Sequence, residues 1–197
     1  MDLYVAPDGQ PRCGWAADGP LMLGYHDTEW GFPVHDDHRL FEKVSLEGFQ
    51  SGLSWRTILT KRPAFREVFE GFDPVRVALF TDDDVERLLT DARIIRHRGK
   101  IEAVVNNAAR ALELMDDAGS LAAYFWTWAP PAGEIVAPAT MTTSPSSIAM
   151  AKDLKKRGWK FVGPTTAFAF MQAMGLINDH AEGCTTRGAV EEARHRL

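Results

Sequence analysis

The sequence predicts an all-α fold, and three observations carry that expectation. Apolar residues recur at helical spacing along most of the chain. Capping signals stand where those stretches begin and end, and no period-2 stretch runs longer than a few residues. At 197 residues, with 45% hydrophobic and 25% charged content, the chain is composed like an ordinary globular protein. It is long enough to bury a substantial core in one domain, residues 1–197.

Taken in order, residues 36–52 read DDHRLFEKVSLEGFQSG. At about 100° per residue, Leu40, Val44, Glu47 and Ser51 fall on one face of a helix. Asp73 is an N-cap followed by Pro74 at the first helical position, opening PVRVALF. Thr81 and Asp84 have the spacing of a capping box before VERLL. Residues 100–117 place Ile101, Val104, Val105, Ala108, Leu112 and Met115 at helical spacing, and Gly119 closes the helix. Ser120 starts LAAYFWTW. Residues 130–147, rich in Pro, Thr and Ser, read as a long irregular loop. A helix follows over 147–157, ending at Gly158, and Thr165 caps another over 166–174 that ends at Gly175.

Composition narrows the function classes. No apolar stretch is long enough to span a membrane, and MDLYVAPDGQPR lacks signal-peptide architecture, so no membrane partner and a cytoplasmic location are expected. The net charge of −5 argues weakly against nucleic acid, but two runs oppose it. Residues 93–100 (RIIRHRGK) and 152–160 (KDLKKRGWK) are strongly basic, while acids cluster at 82–84 and 116–117. Either basic run is equally an ordinary solvated helix face.

Three constellations bear on chemistry. Glu47 stands on an apolar stripe, between the aromatic groups of residues 25–30 and Trp55. It is there as a solvated local acid, or as an anion inside an aromatic pocket for a flat, cationic ligand. The link over residues 91–99 joins two predicted helices and ends in Gly99. It is an ordinary turn with surface arginines, or a hairpin whose helix-start N–H groups hold a phosphate with Arg96, Arg98 and Lys100 beside it. The only two cysteines, Cys13 and Cys184, lie at opposite ends of the chain, so a disulfide is not expected in a cytosolic protein. With His26 and His180 they make either a closed tetrahedral zinc set or unrelated buried thiols and histidines.

The motifs containing these residues resemble those of a known family. Residues 12–15 (RCGW), 25–31 (YHDTEWG), 46–55 (LEGFQSGLSW), 94–101 (IIRHRGKI), 156–163 (KRGWKFVG) and 175–180 (GLINDH) resemble, in order, DNA-3-methyladenine glycosylase I. The match runs from about Arg12 to Cys184, leaving 1–11 and 185–197 peripheral. It implies a helix-hairpin-helix glycosylase fold, with a structural zinc on Cys13, His26, His180 and Cys184 joining the N- and C-terminal segments. It also implies that Glu47 is the essential acid, Trp55 the base-stacking ring, and Tyr25 and Trp30 further pocket walls. Gly52 and Leu53 would form the wedge filling the opened duplex, and Arg96, His97, Arg98, Gly99 and Lys100 the DNA-gripping hairpin. Met22 stands where relatives often have tyrosine, and Arg93 where they often have glycine before the hairpin.

The activity so implied is hydrolytic removal of 3-methyladenine from alkylated double-stranded DNA by a monomer, with base flipping and release of the free base. No aspartate lies between residues 118 and 147, and no lysine falls within the quoted pocket motifs. A monofunctional hydrolase without strand cleavage is therefore expected. So is a Glu47→Ala variant that folds normally but does not excise. Two alternatives remain at this point: a non-enzymatic DNA-damage binder with a dead pocket, and a zinc hydrolase, which needs an open coordination position that four protein ligands do not leave.

Overall fold

A computed structural model of the chain describes residues 2–131, 133–135 and 138–196. Ten α-helices are among them: α1 (Pro20–Thr28), α2 (Asp37–Gln50), α3 (Trp55–Val68), α4 (Pro74–Val77), α5 (Asp82–Thr90), α6 (Arg98–Ala118), α7 (Leu121–Trp126), α8 (Pro145–Lys156), α9 (Pro164–Ala173) and α10 (Thr185–His195). The all-α expectation needs one amendment. Strands β1 (Leu3–Val5) and β2 (Pro11–Cys13) pair antiparallel, with Leu3 opposite Cys13. Three residues per strand are too few to show an alternating pattern in sequence.

Helix starts follow the capping chemistry. Asp36, Ser54, Asp73 and Ser120 each accept a backbone N–H of the following turn, and Thr81 with Asp84 forms the expected capping box. Gly119 ends α6 in the left-handed conformation. Three starts differ from expectation, the first being α6, which begins at Arg98 after the cap His97 rather than at residue 100. The first turn of α8 begins at Pro145, because Ser144 and Ser147 make a reciprocal box. That of α9 begins at Pro164, after Gly163 rather than Thr165, proline serving at the first position. The described residues of the 130–147 region are irregular up to Ser144.

α2 is the hub, packing on α3, α6, α7 and α9. Residues 40–49 of it are all buried, charged ones included. A ladder of fully buried phenylalanines at 41, 49, 65, 69, 72, 125, 168 and 170 fills the space around it. Each such burial contributes about 1.5–3 kcal/mol. Close approach fixes the last loop as well: a Cβ on Gly175 would meet Pro33 N at 2.5 Å, so only glycine serves there. Among the described residues no helix is long and apolar enough to cross a membrane.

Candidate functional site

Because α2 is enclosed, each of its charges needs a partner within the fold. Glu42 takes Arg66 at 2.9 Å. Glu47 takes Lys43, one turn earlier on the same face, with Nζ to Oε1 at 2.7 Å. The Lys43 ammonium also donates to the Tyr25 hydroxyl at 2.9 Å and lies 3.3 Å from the centroid of the Trp55 ring. Burial pushes the Lys43 amine down, against the pull of Glu47. Burial, reinforced by the Glu47 charge, pushes the Tyr25 phenol well up, so its O–H is kept.

These groups face a cavity of about 360 Å³. Its aromatic walls are Trp15, Tyr25, Trp30, Trp55 and Phe168, and Met22 closes part of one side. The rings brace one another: Tyr25 and Trp55 are 5.4 Å apart between centroids, Trp15 and Trp30 5.1 Å edge to face. Behind Tyr25, Arg62 grips both oxygens of Glu29 at 2.7 and 2.8 Å. The cavity's second carboxylate, Asp179, is buried and raised by that burial, yet satisfied by Ala139 N at 2.8 Å and Gln172 Nε2 at 2.6 Å. The site thus accommodates a flat ring with polar edges, against one carboxylate.

The four predicted metal ligands converge. Sγ of Cys13, Nε2 of His26, Nδ1 of His180 and Sγ of Cys184 all lie within 4.8 Å of one another, and all four residues are buried. The imidazole nitrogens are 3.1 Å apart, and three of the four nitrogen–sulfur separations are 3.5–3.6 Å. Zinc bond lengths in a tetrahedron give edges of roughly 3.3–3.8 Å, so the donor set fits that ion. Each histidine has its other nitrogen committed outward. His26 Nδ1 lies 2.7 Å from Asp27 Oδ1, and His180 Nε2 lies 3.0 Å from the Trp30 carbonyl, the outer-shell contacts that orient ligand imidazoles. Arg12 and Thr186 hold the same Asp27 oxygen. The Trp30 ring sits 4.6 Å from the His180 ring, so the cluster supports a wall of the cavity. α10, peripheral by sequence, is a buttress: Arg187 donates to the His180 carbonyl and Val190 is fully buried.

Beyond Glu47, α2 ends in the turn Gln50–Leu53. Ser51 (φ −47°, ψ 115°) and Gly52 (φ +79°) have type II angles, closed by Leu53 N donating to Gln50 O. That conformation requires glycine at its third position and leaves Leu53 40% exposed at the tip. The α5–α6 link comes up beside it. His97 caps α6 by accepting Lys100 N at 3.3 Å. Arg96 is exposed and forms no ion pair among the described residues.

Three expectations change here. The Lys100 side chain does not face solvent as a phosphate contact: its buried ammonium donates to the carbonyls of Phe49 at 2.9 Å and Ser51 at 2.6 Å, closing the end of α2. Arg98 is engaged by Glu86 at 2.6 Å and Arg93 by Asp91 and Glu67, so two of the four cations in the basic run are paired within the fold. And a lysine does line the pocket. Lys43 lies just outside the quoted motif, although its four-residue spacing before Glu47 marks it as a same-face neighbour.

Fold and site together define a helical protein with an aromatic-walled cavity containing a buried carboxylate, beside a Cys2His2 cluster. The methyladenine glycosylase profile matches residues 15–187. DNA-3-methyladenine glycosylase 1 of Escherichia coli (strain K12) is 47% identical over 177 residues, covering 88% of this chain and 95% of that protein. The Haemophilus influenzae enzyme is 41% identical over 177 residues, covering 88% and 96%. Among solved structures, 3-methyladenine DNA glycosylase I from Staphylococcus aureus superposes with a TM-score of 0.84 at 36% identity, covering 89% of this chain and 96% of that one. A tyrosine-to-phenylalanine variant of a 3-methyladenine DNA glycosylase I, in complex with 3-methyladenine, gives 0.82 at 36%, covering 89% and 97%. This chain belongs to the methyladenine glycosylase family, and it is an enzyme of the DNA glycosylase class.

Proposed function

We propose that this enzyme excises 3-methyladenine from alkylated duplex DNA, leaving an abasic site. The observation that carries the reading is the buried Glu47 carboxylate in a cavity walled by Trp55, Tyr25 and Trp30. Methylation at N3 makes the base positive, so it stacks well on electron-rich rings and is held by an anion on its amino edge. The C1′–N9 bond breaks with its electron pair going to the base, which leaves neutral, and water adds to C1′ of the oxocarbenium-like sugar, giving its proton to solvent. A leaving group already charged needs no strong acid. Glu47 contributes recognition first, and rate only so far as it holds the transition state better than the ground state.

To enter, the nucleotide is flipped from the stack at a cost of a few kcal/mol, smallest for a damaged base. Leu53 on its glycine turn is the wedge that fills the gap. The α5–α6 link is read as a helix-hairpin-helix, gripping phosphates through the first N–H groups of α6 and through Arg96, with His97 and Gly99 at the turn. Zinc on Cys13, His26, His180 and Cys184 would be structural, tying the ends of the chain together. Lys43 is engaged by Glu47 and Tyr25, which supports a monofunctional hydrolase, and the enzyme is taken to act as a monomer in the cytoplasm.

The test is chromatography of bases released from methylated DNA. Free 3-methyladenine is expected, with abasic sites, intact strands and no borohydride-trapped enzyme–DNA adduct. DNA that is bound but keeps its methylated bases would leave only the binding-module reading.

A further inference from the structure

One charge in the pocket, Lys43, has no assigned part in binding the base. Glu29 is neutralised by Arg62 and Glu42 by Arg66, so among the inner acids Glu47 is left to Lys43. The two side chains are 7% and 5% exposed. The ammonium lies 2.7 Å from the carboxylate, 2.9 Å from the Tyr25 hydroxyl and 3.3 Å from the Trp55 ring centroid. Those three groups are the ones assigned above to a positive base.

We propose that the Lys43 ammonium is a resident occupant of the pocket's cation-accepting place, so that a methylated base binds only by taking Glu47 and the Trp55 ring from it. The inference rests on the function proposed above. Two positive charges beside one carboxylate in a desolvated cavity repel, so the lysine must move aside or give up its proton to solvent as the base enters. Its surroundings permit the second course. Burial already lowers its proton affinity, and Arg62 from α3 and Arg39 from α2 add positive charge nearby. Against them, among the described residues, stand Glu47, Glu29 and Glu42, the last two paired with arginines, and the cavity's Asp179, which is held by Ala139 N and Gln172 Nε2. The Tyr25 hydroxyl stays protonated and uncharged.

Excision kinetics on methylated duplex DNA, from neutral to alkaline pH, test this. For Lys43→Met, KM is expected to fall about tenfold, the worth of one charge-assisted contact, with kcat little changed. The wild-type KM is expected to fall as pH rises, and the methionine variant's to be flat. Lys43→Arg, charged at every pH, should stay weak throughout. Lys43→Gln carries the methionine prediction should Lys43→Met not fold. An unchanged or higher KM in the uncharged variants would overturn the inference, because Lys43 would then be supporting Glu47 instead of competing for its place. Wild-type enzyme that releases no base would remove the function, and this inference with it.

Discussion

At Glu47, recognition and stability meet in one side chain. An acid on an apolar stripe marks it in the sequence, but the partner that makes its burial tolerable is Lys43, which lies one turn back. That pairing changes what truncation does. Glu47→Ala strands a buried ammonium, and removing one partner of a buried pair costs about 3–5 kcal/mol. The alanine variant is therefore expected to lose excision and stability together, rather than folding normally. Urea unfolding of Glu47→Ala and of the double variant Lys43→Met/Glu47→Ala checks this. The double variant should recover most of the lost stability and none of the excision. Lys43 escaped sequence reading because a lysine beside an acid at four-residue spacing is the usual mark of a solvated helix surface. Only the packing of four helices around α2 turns that pair inward.

At the element scale, the end of α2 and the start of α6 act as one piece. Lys100 reaches back from the first turn of α6 to the carbonyls of Phe49 and Ser51, holding the turn that presents Leu53. Two lysine and arginine positions of one basic run therefore separate experimentally. Arg96→Ala is expected to lower the salt slope of DNA binding by about one phosphate contact. Lys100→Met should leave the slope unchanged while lowering thermal stability and slowing excision, by loosening the wedge turn. Binding titrations over a salt series, with melting curves, distinguish them. Gly52→Ala forces φ +79° on a residue with a Cβ, costing about 1–2 kcal/mol, with a matching loss of excision. The helices legible in sequence were those with a clean cap and stripe, such as α5 and α6. α1, α3 and α10 were not legible. α3 contains Pro63, which removes one helical donor, and α10 is polar except for the few residues facing the cluster.

For the whole molecule, the Cys/His cluster joins β2 and α1 to the segment before α10, closing a loop that is most of the chain. Spacing alone could not bring residues 167 positions apart together; family resemblance suggested the set, and the fold brings the four side chains to one point. A cross-link over a loop beyond 100 residues contributes about 4–5 kcal/mol, so metal removal should lower Tm by about 10–20 °C. Metal analysis is expected to give one zinc per chain, lost in Cys184→Ser. Acid should weaken the fold at a second point. Burial raises the Glu29 carboxyl, but the Arg62 hydrogen bonds outweigh it and hold the pKa below the usual carboxylate range. That stability is present above the ordinary carboxylate range and is lost as pH falls through the lowered folded value. Arg62→Met should flatten the acid limb of a stability-versus-pH curve.

The most direct test of the central claim is a structure of the protein with free 3-methyladenine bound. The purine is predicted to lie on the Trp55 ring with its amino edge against the Glu47 carboxylate. A base seated elsewhere, with the Glu47–Lys43 pair undisturbed, would contradict the account.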